Sequence, residues 1–382
     1  MASRLLISAG EASGDLYAAG LVEALRKRNP DLDFFGCTGP RMRAAGVRTA
    51  VDASRLAVVG LVEVIRHIPR IYGEYRRLLN AVRRERPDAA ILTDSPDFHL
   101  RIAKQLKKMG IPVIYLVAPQ VWAWRRGRLK GMRGIVHRLL CIFPFEERFF
   151  NDHGVPALYI GHPLTRLIRP SASPVELRER FGVPPGTKLV ALLPGSRKGE
   201  ISRHWPVLRA AVDRILAASK PQPVRFILAL PAGANFRERF SHSSIQVLEG
   251  QTWDVLACAD LALAASGTVT IEAALLGTPL VAFYRVNPLS WISGKLLLRV
   301  PFYSMVNLVA EKQVIPELIQ DRMTPENLAS ECLRLLEDEA ARERMRQDLR
   351  EVAGRLACSL DPMEAAASVV EECLKEELTH VS

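Results

Sequence analysis

Two successive series of short apolar runs, separated by stretches with helical periodicity, constrain this chain more than any other feature. The first series falls at 5–9, 33–37, 89–93, 112–117, 139–143 and 157–160. The second falls at 188–193, 225–230, 245–248, 261–264 and 279–283. Ala18, Leu21, Val22 and Leu25 recur at i, i+3, i+4 and i+7, the mark of a helix that Ser13 is placed to cap. Runs that are apolar at nearly every position and flanked by helices specify strands buried on both faces. They therefore predict α/β architecture, with parallel sheets covered by helices on either side.

Between the two series, residues 165–187 contain RLIRPSASP and VPPGTK, rich in Pro, Ser and Gly as a linker is. The chain thus reads as two doubly wound domains of similar size, joined near residue 170, with a helical tail at 324–336, 340–353 and 362–378. Its 382 residues suit two domains. Hydrophobic residues at 48% and charged residues at 24% fit a globular protein rather than a disordered or fibrous one. No apolar run approaches the ~18–20 residues of a membrane-spanning helix. The stretch before Glu11 is too short for a signal peptide and reads as a first buried strand. Six scattered cysteines, without a CxxC pair, point to a reducing cytoplasm.

Charge is divided unequally. Residues 1–170 carry 28 Lys and Arg against 15 Asp and Glu, whereas residues 171–382 carry 24 against 26. The basic half is therefore expected to meet something anionic: nucleic acid, a membrane surface or a phosphorylated substrate. A purely solubilising surface is the plainer alternative.

Four motifs lie where strands end. SAGEASGD (8–15) opens the first helix; Gly10 and Gly14 allow close backbone approach to a ligand, and Glu11 places a carboxylate at the sheet's end. Glu11 also suits a first-turn acid favoured by the helix dipole. The stretch matches neither a dinucleotide loop nor a phosphate loop. TDSPDF (93–98) sets Asp94 at a strand end before Pro96, where a general base for a hydroxyl belongs; Asp97 reads as a turn residue. LLPGSRKGEI (192–201) offers a phosphate-sized turn at Gly195 and Ser196, with Arg197 able to grip phosphate oxygens. AASGTVTIEAALLGTPLV (264–281) puts Ser266, Gly267 and Thr268 at a helix N-terminus suited to a diphosphate, with Glu272 one turn on for ribose hydroxyls. A fifth motif, APQVWAWRRGRLKGMR (118–133), sets Trp122 and Trp124 directly before Arg125, Arg126, Arg128, Lys130 and Arg133. That pattern suits a membrane interface or an anionic ligand, single-stranded nucleic acid through stacking and phosphate contacts, or a helix with buried Trp and a solvated basic face. Residues 289–306, LSWISGKLLLRVPFYSMV, mix aromatic and aliphatic groups with Lys295 and Arg299, as an interfacial segment does, and as a buried helix with two charged ends also does.

Together these motifs, with TGPRM (38–42), VVGLVEV (58–64), FPFE (143–146) and GHPL (161–164), stand in the order found in the lipid-A-disaccharide synthases, which the chain resembles over nearly its whole length. The resemblance implies a GT-B glycosyltransferase: two Rossmann-like domains facing across a cleft, an acceptor and membrane-facing domain at 1–168, a UDP-sugar donor domain at 169–358, and a final helix, 359–382, returning to the first domain. It implies inverting transfer of 2,3-diacylglucosamine from its UDP derivative to the 6-hydroxyl of 2,3-diacylglucosamine 1-phosphate, without a metal or other cofactor, at the inner face of the inner membrane. By the same resemblance Asp94 is the base and Glu11 an essential acid. Ser196, Arg197, Ser266, Gly267, Thr268, Glu272 and Asn307 then lie on the donor side. Trp122, Trp124, Arg125, Arg126 and Arg128 lie toward acceptor and membrane. No nucleic-acid partner is expected, and a homo-oligomer is allowed. Two other readings stay open. One is a different GT-B enzyme, such as a UDP-sugar 2-epimerase. The other is a non-enzymatic nucleic-acid or membrane binder, which would leave Arg197 and Glu272 without a task.

Overall fold

The computed structural model describes residues 3–56, 61–123, 126–218, 223–233, 240, 242–287, 291 and 300–380. The chain divides into two units, Met1–Arg166 with Leu356–Ser382, and Leu167–Arg355.

In the first unit seven strands form one parallel sheet: β1 (Arg4–Ser8), β2 (Asp33–Thr38), β3 (Arg48–Asp52), β4 (Ala89–Thr93), β5 (Val113–Leu116), β6 (Arg138–Cys141) and β7 (Ala157–Tyr159). Their order is β3-β2-β1-β4-β5-β6-β7. Leu5, Leu6, Ile7 and the run Ala89 to Leu92 are completely buried, so both faces of β1 and β4 are covered, and this is why those runs are apolar without alternation. The chain winds outward from β1 to β3, then returns to pair β4 with β1, Ser8 opposite Leu92. Order reverses between β1 and β4, and the loops after those two strands diverge there, leaving a crevice beyond their C-terminal ends.

The second unit repeats the plan with β8 (Lys188–Leu193), β9 (Val224–Leu230), β10 (Ile245–Glu249), β11 (Leu261–Ala265), β12 (Leu280–Tyr284) and β13 (Glu317–Ile319), ordered β10-β9-β8-β11-β12-β13. Its reversal lies between β8 and β11, with Leu193 opposite Ala264.

Two edge strands have no counterpart among the apolar runs of the sequence. β3, RTAVD, has one fully buried residue, and β13 has three residues. An edge strand is covered less and needs no continuous apolar run, so its sequence carries little signal. The first helix, Ala12–Arg28, begins with Glu11 rather than Ser13 at the N-cap. The last helix, Pro362–His380, packs on it within the first unit: Arg28 bonds Glu364 at 2.8 Å and Glu371 at 3.1 Å, and Gly20 faces Met363.

Candidate active site

The first unit's crevice is built around one carboxylate. Asp94 follows β4 directly, and its φ of 53° and that of Ser95, 36°, place two consecutive non-glycine residues in the left-handed region. Such a backbone costs on the order of 1–3 kcal/mol per residue and persists only where neighbours enforce it. Here the neighbours are plain. The Gly10 N–H donates to Asp94 Oδ1 at 2.8 Å, and the Glu11 N–H donates to Oδ2 at 3.0 Å. Tyr115 Oη donates to the Asp94 carbonyl at 2.6 Å, and His99 Nδ1 lies 3.0 Å from the same oxygen. Burial pushes the Asp94 carboxyl up to about 7; the amides of Gly10 and Glu11 pull it down, and the Glu11 carboxylate raises it further. The group is poised to exchange a proton near neutral pH.

The glycines of SAGEASGD have a use different from the close ligand approach expected of them. A Cβ on Gly14 would lie 1.8 Å from Asp94 Oδ2, and one on Gly10 would lie 2.4 Å from Ser95 Oγ. Both glycines make room for the β4 turn itself. Gly14→Ala should therefore displace the Asp94 carboxylate and lower turnover ~10²-fold while the protein stays folded. Steady-state kinetics beside a thermal melt checks this, and wild-type turnover would refute it.

Other motif residues in this unit serve as structure. Asp15 is buried and accepts from the N–H groups of Gly39, Arg41 and Met42, which fixes TGPRM. Trp122 is buried, its indole N–H donating to Glu146 Oε1 at 3.0 Å and its ring edge-on to Phe145. VWAWR and FPFE thus hold each other, and Trp122 is a packing group, the buried one of the readings its motif allowed. Glu146 also accepts from the Phe143 N–H, and burial pushes its carboxyl up to about 8. Arg128 pairs with the exposed Asp97. Trp124, Arg125, the side chain of Arg126 and the motif 58–64 lie outside what the structure describes, apart from the backbone of Arg126 and of 61–64 in their helices. In GHPL, the His162 N–H donates to Leu356 O, which ties the motif to the returning C-terminal segment.

In the second unit the two turns at the reversal come next. Gly195, with φ of 114°, follows β8, and a Cβ there would lie 2.8 Å from Glu200 Oε2. That oxygen accepts from the N–H groups of Ser196 and Arg197 at 3.3 and 3.2 Å, while Oε1 accepts from Tyr284 Oη at 2.9 Å. The half-exposed Arg197 guanidinium lies 3.6 Å from the Glu200 carboxylate. His204 is fully buried, with Nδ1 2.7 Å from Pro194 O and Nε2 accepting from the Arg285 N–H at 3.1 Å, so it ties the end of β8 to the end of β12. Neither Glu200 nor His204 was expected from the sequence. Each lies on the Lys198–Ala218 helix, with a spacing from Gly195 that only the folded turn makes meaningful.

After β11, Ser266 Oγ donates to Tyr303 O at 2.9 Å, and the exposed Gly267 and Thr268 begin the Thr268–Leu275 helix. Glu272 is half-buried beside Trp253, and burial pushes its carboxyl up to about 7. Asn307 is fully buried and its amide is spent within the chain: Oδ1 accepts from the Val314 and Ile315 N–H groups, and Nδ2 donates to Ile315 O and Glu317 Oε1. It offers no open polar atom to a donor sugar. Its office is to hold the 303–317 segment, on which Ser266 rests.

Two further features lie at the opposite ends of the sheets. A cavity of about 540 Å³ opens near the N-terminal ends of β11 and β12; its arginines, Arg178, Arg346 and Arg350, each pair with a nearby acid. Among the described residues, His137, Cys373 and Glu376 gather metal-ligating atoms within 4.8 Å, before β6, and Glu376 already bonds His137 and Arg138.

The family model described as lipid-A-disaccharide synthetase matches residues 5–369. A lipid-A-disaccharide synthase of Solibacter usitatus is 57% identical over 379 residues, covering 99% of this chain and all of its own. The chain belongs to the lipid-A-disaccharide synthase family. It is a glycosyltransferase that forms the lipid A disaccharide. The GT-B fold agrees with solved structures. The glycotransferase of kitacinnamycin matches with a TM-score of 0.65 at 16% identity over 98% of this chain and 100% of its own. The S. aureus MnaA-UDP co-structure matches with a TM-score of 0.68 at 12% identity over 99% and 97%. Among the described residues of this synthase, no helix is long and apolar enough to cross a membrane.

Proposed function

We propose that the chain transfers 2,3-diacylglucosamine from UDP-2,3-diacylglucosamine to the 6-hydroxyl of 2,3-diacylglucosamine 1-phosphate, with inversion, releasing UDP. The observation that carries this reading is the Asp94 carboxylate, raised toward neutrality by burial and aimed by two amides at the reversal of the first sheet. An alcohol does not ionise unaided at neutral pH, so a carboxylate must take the proton as the new glycosidic bond forms. Asp94 is that base. The Glu11 carboxylate beside it raises its proton affinity and so sharpens it for the task.

The donor is assigned to the second unit. The helix start at Gly267 and Thr268 supplies N–H groups for the diphosphate, the turn that Glu200 holds at Ser196 presents the Arg197 guanidinium to it, and Glu272 is assigned to the ribose. S. aureus MnaA, of the same fold, was solved with UDP, which supports a UDP-linked donor. No metal or cofactor enters the scheme. Mass spectrometry of the product from the two acylated substrates, with vesicles present, tests the reading. A tetraacyl disaccharide 1-phosphate is expected. Free epimerised UDP-sugar, or transfer with equal rate from a non-acylated donor, would overturn it.

By this reading the protein works at the inner face of the inner membrane, where the excess of positive charge in residues 1–170 would meet anionic lipid. Of the 289–306 segment, Trp291 and Tyr303 stand with ring centroids 5.9 Å apart, and residues 289–290 and 292–299 lie outside those described. Co-sedimentation is expected to favour anionic over neutral vesicles and to weaken with salt. Equal partitioning would count against the charge argument.

A further inference from the structure

We propose that His99 and Tyr115 are positioning residues for Asp94: by both donating to its main-chain carbonyl they hold the left-handed turn that delivers its carboxylate to the amides of Gly10 and Glu11. The inference rests on Asp94 being the base.

The carbonyl oxygen can only accept, so both partners must present a hydrogen. Tyr115 is completely buried in β5, and its hydroxyl reaches the Asp94 oxygen at 2.6 Å. His99 is completely buried in the Pro96–Lys108 helix. Burial pulls its imidazole down to about 4, so the ring is neutral and carries one hydrogen. With Nδ1 3.0 Å from the carbonyl, that hydrogen sits on Nδ1. Nε2 then accepts from Ser8 Oγ at 2.7 Å, which fixes the tautomer from the end of β1. A directed chain runs Ser8 to His99 to the Asp94 carbonyl, joined there by Tyr115. It joins β1, β5 and the Pro96–Lys108 helix at Asp94, the first of the two consecutive residues in the left-handed region.

None of these groups touches the carboxylate oxygens by hydrogen bond; they act through the backbone. If the turn relaxes, the peptide rotates and the carboxylate leaves the two amides. Those amides favour its charged form, so their loss raises its proton affinity. The titratable groups facing Asp94 are Glu11 from the β1 turn, Cys37 from β2, His99 from the helix and Tyr115 from β5.

The test is the pH–rate profile of the full-length protein carrying Tyr115→Phe, His99→Leu, His99→Asn or Asp94→Asn, with UDP affinity measured in parallel. Tyr115→Phe and His99→Leu are each expected to lower kcat about tenfold or more, to move the acid limb to higher pH, and to leave UDP affinity unchanged. His99→Asn, whose amide N–H takes the place of Nδ1–H, should restore most of the rate and the normal limb. A purely structural role would lower the melting temperature and leave the limb in place. Unmoved limbs in both single variants, with Asp94→Asn inactive, would overturn this inference and spare the base. An active Asp94→Asn would overturn the base itself. Should His99→Leu fail to fold, Tyr115→Phe and His99→Asn decide the matter alone: an unshifted limb in Tyr115→Phe refutes the proposal.

Discussion

Asp94→Asn is expected to lower turnover by ~10²–10⁴ while UDP binding persists. Asparagine keeps the size of the side chain but cannot take a proton from the acceptor hydroxyl. The direction of the pH dependence follows from the same group. Its native affinity for a proton is raised, to about 7, so the active carboxylate accumulates only as pH climbs through that value, and the wild-type rate should rise across it. Below it, Asp94 is protonated and idle. Glu11→Gln removes the negative neighbour that helps raise the group, so the acid limb should move to lower pH. A profile unchanged in Glu11→Gln, with Asp94→Asn retaining most activity, would transfer the role of base elsewhere. A coincident loss in Glu11→Gln alone would name Glu11.

Arg197→Ala should lower turnover on the order of a hundredfold or more, by removing a cation that offsets charge growing on the leaving diphosphate. The guanidinium is half-exposed and lies 3.6 Å from the Glu200 carboxylate. The turn behind it stays in place, because Glu200 binds the Ser196 and Arg197 amides whatever the side chain. The variant should therefore fold normally, and near-wild-type turnover in a folded sample would remove Arg197 from the donor site.

How much of this was legible in the sequence depended on burial. Strands covered on both faces announce themselves as unbroken apolar runs, so β1, β4, β8 and β11, the four that frame the two reversals, could be read directly. The half-covered edges β3 and β13 could not. The motif acids could be placed at strand ends because Pro96 and the glycines mark where strands stop. Their partners could not, because a hydrogen bond between residues 10 and 94, or 122 and 146, leaves no periodic trace. Two motif side chains have partners that were hidden for the same reason. Trp122 and Asn307 belong to conspicuous motifs, yet the fold uses their polar atoms internally, against Glu146 in one case and the 314–317 backbone and Glu317 in the other.

The first unit is assembled from two pieces of chain, and this has a consequence for the order of events on the ribosome. Residues up to Arg166 emerge early, but the Pro362–His380 helix that covers the 12–28 helix is made only after the whole of Leu167–Arg355. At ~5–20 residues per second, the early piece waits on the order of ten seconds or more for its cover. During that interval Gly20 and Arg28 face outward without Met363 and Glu364. The unit synthesised second can therefore finish folding before the 12–28 helix of the first is covered.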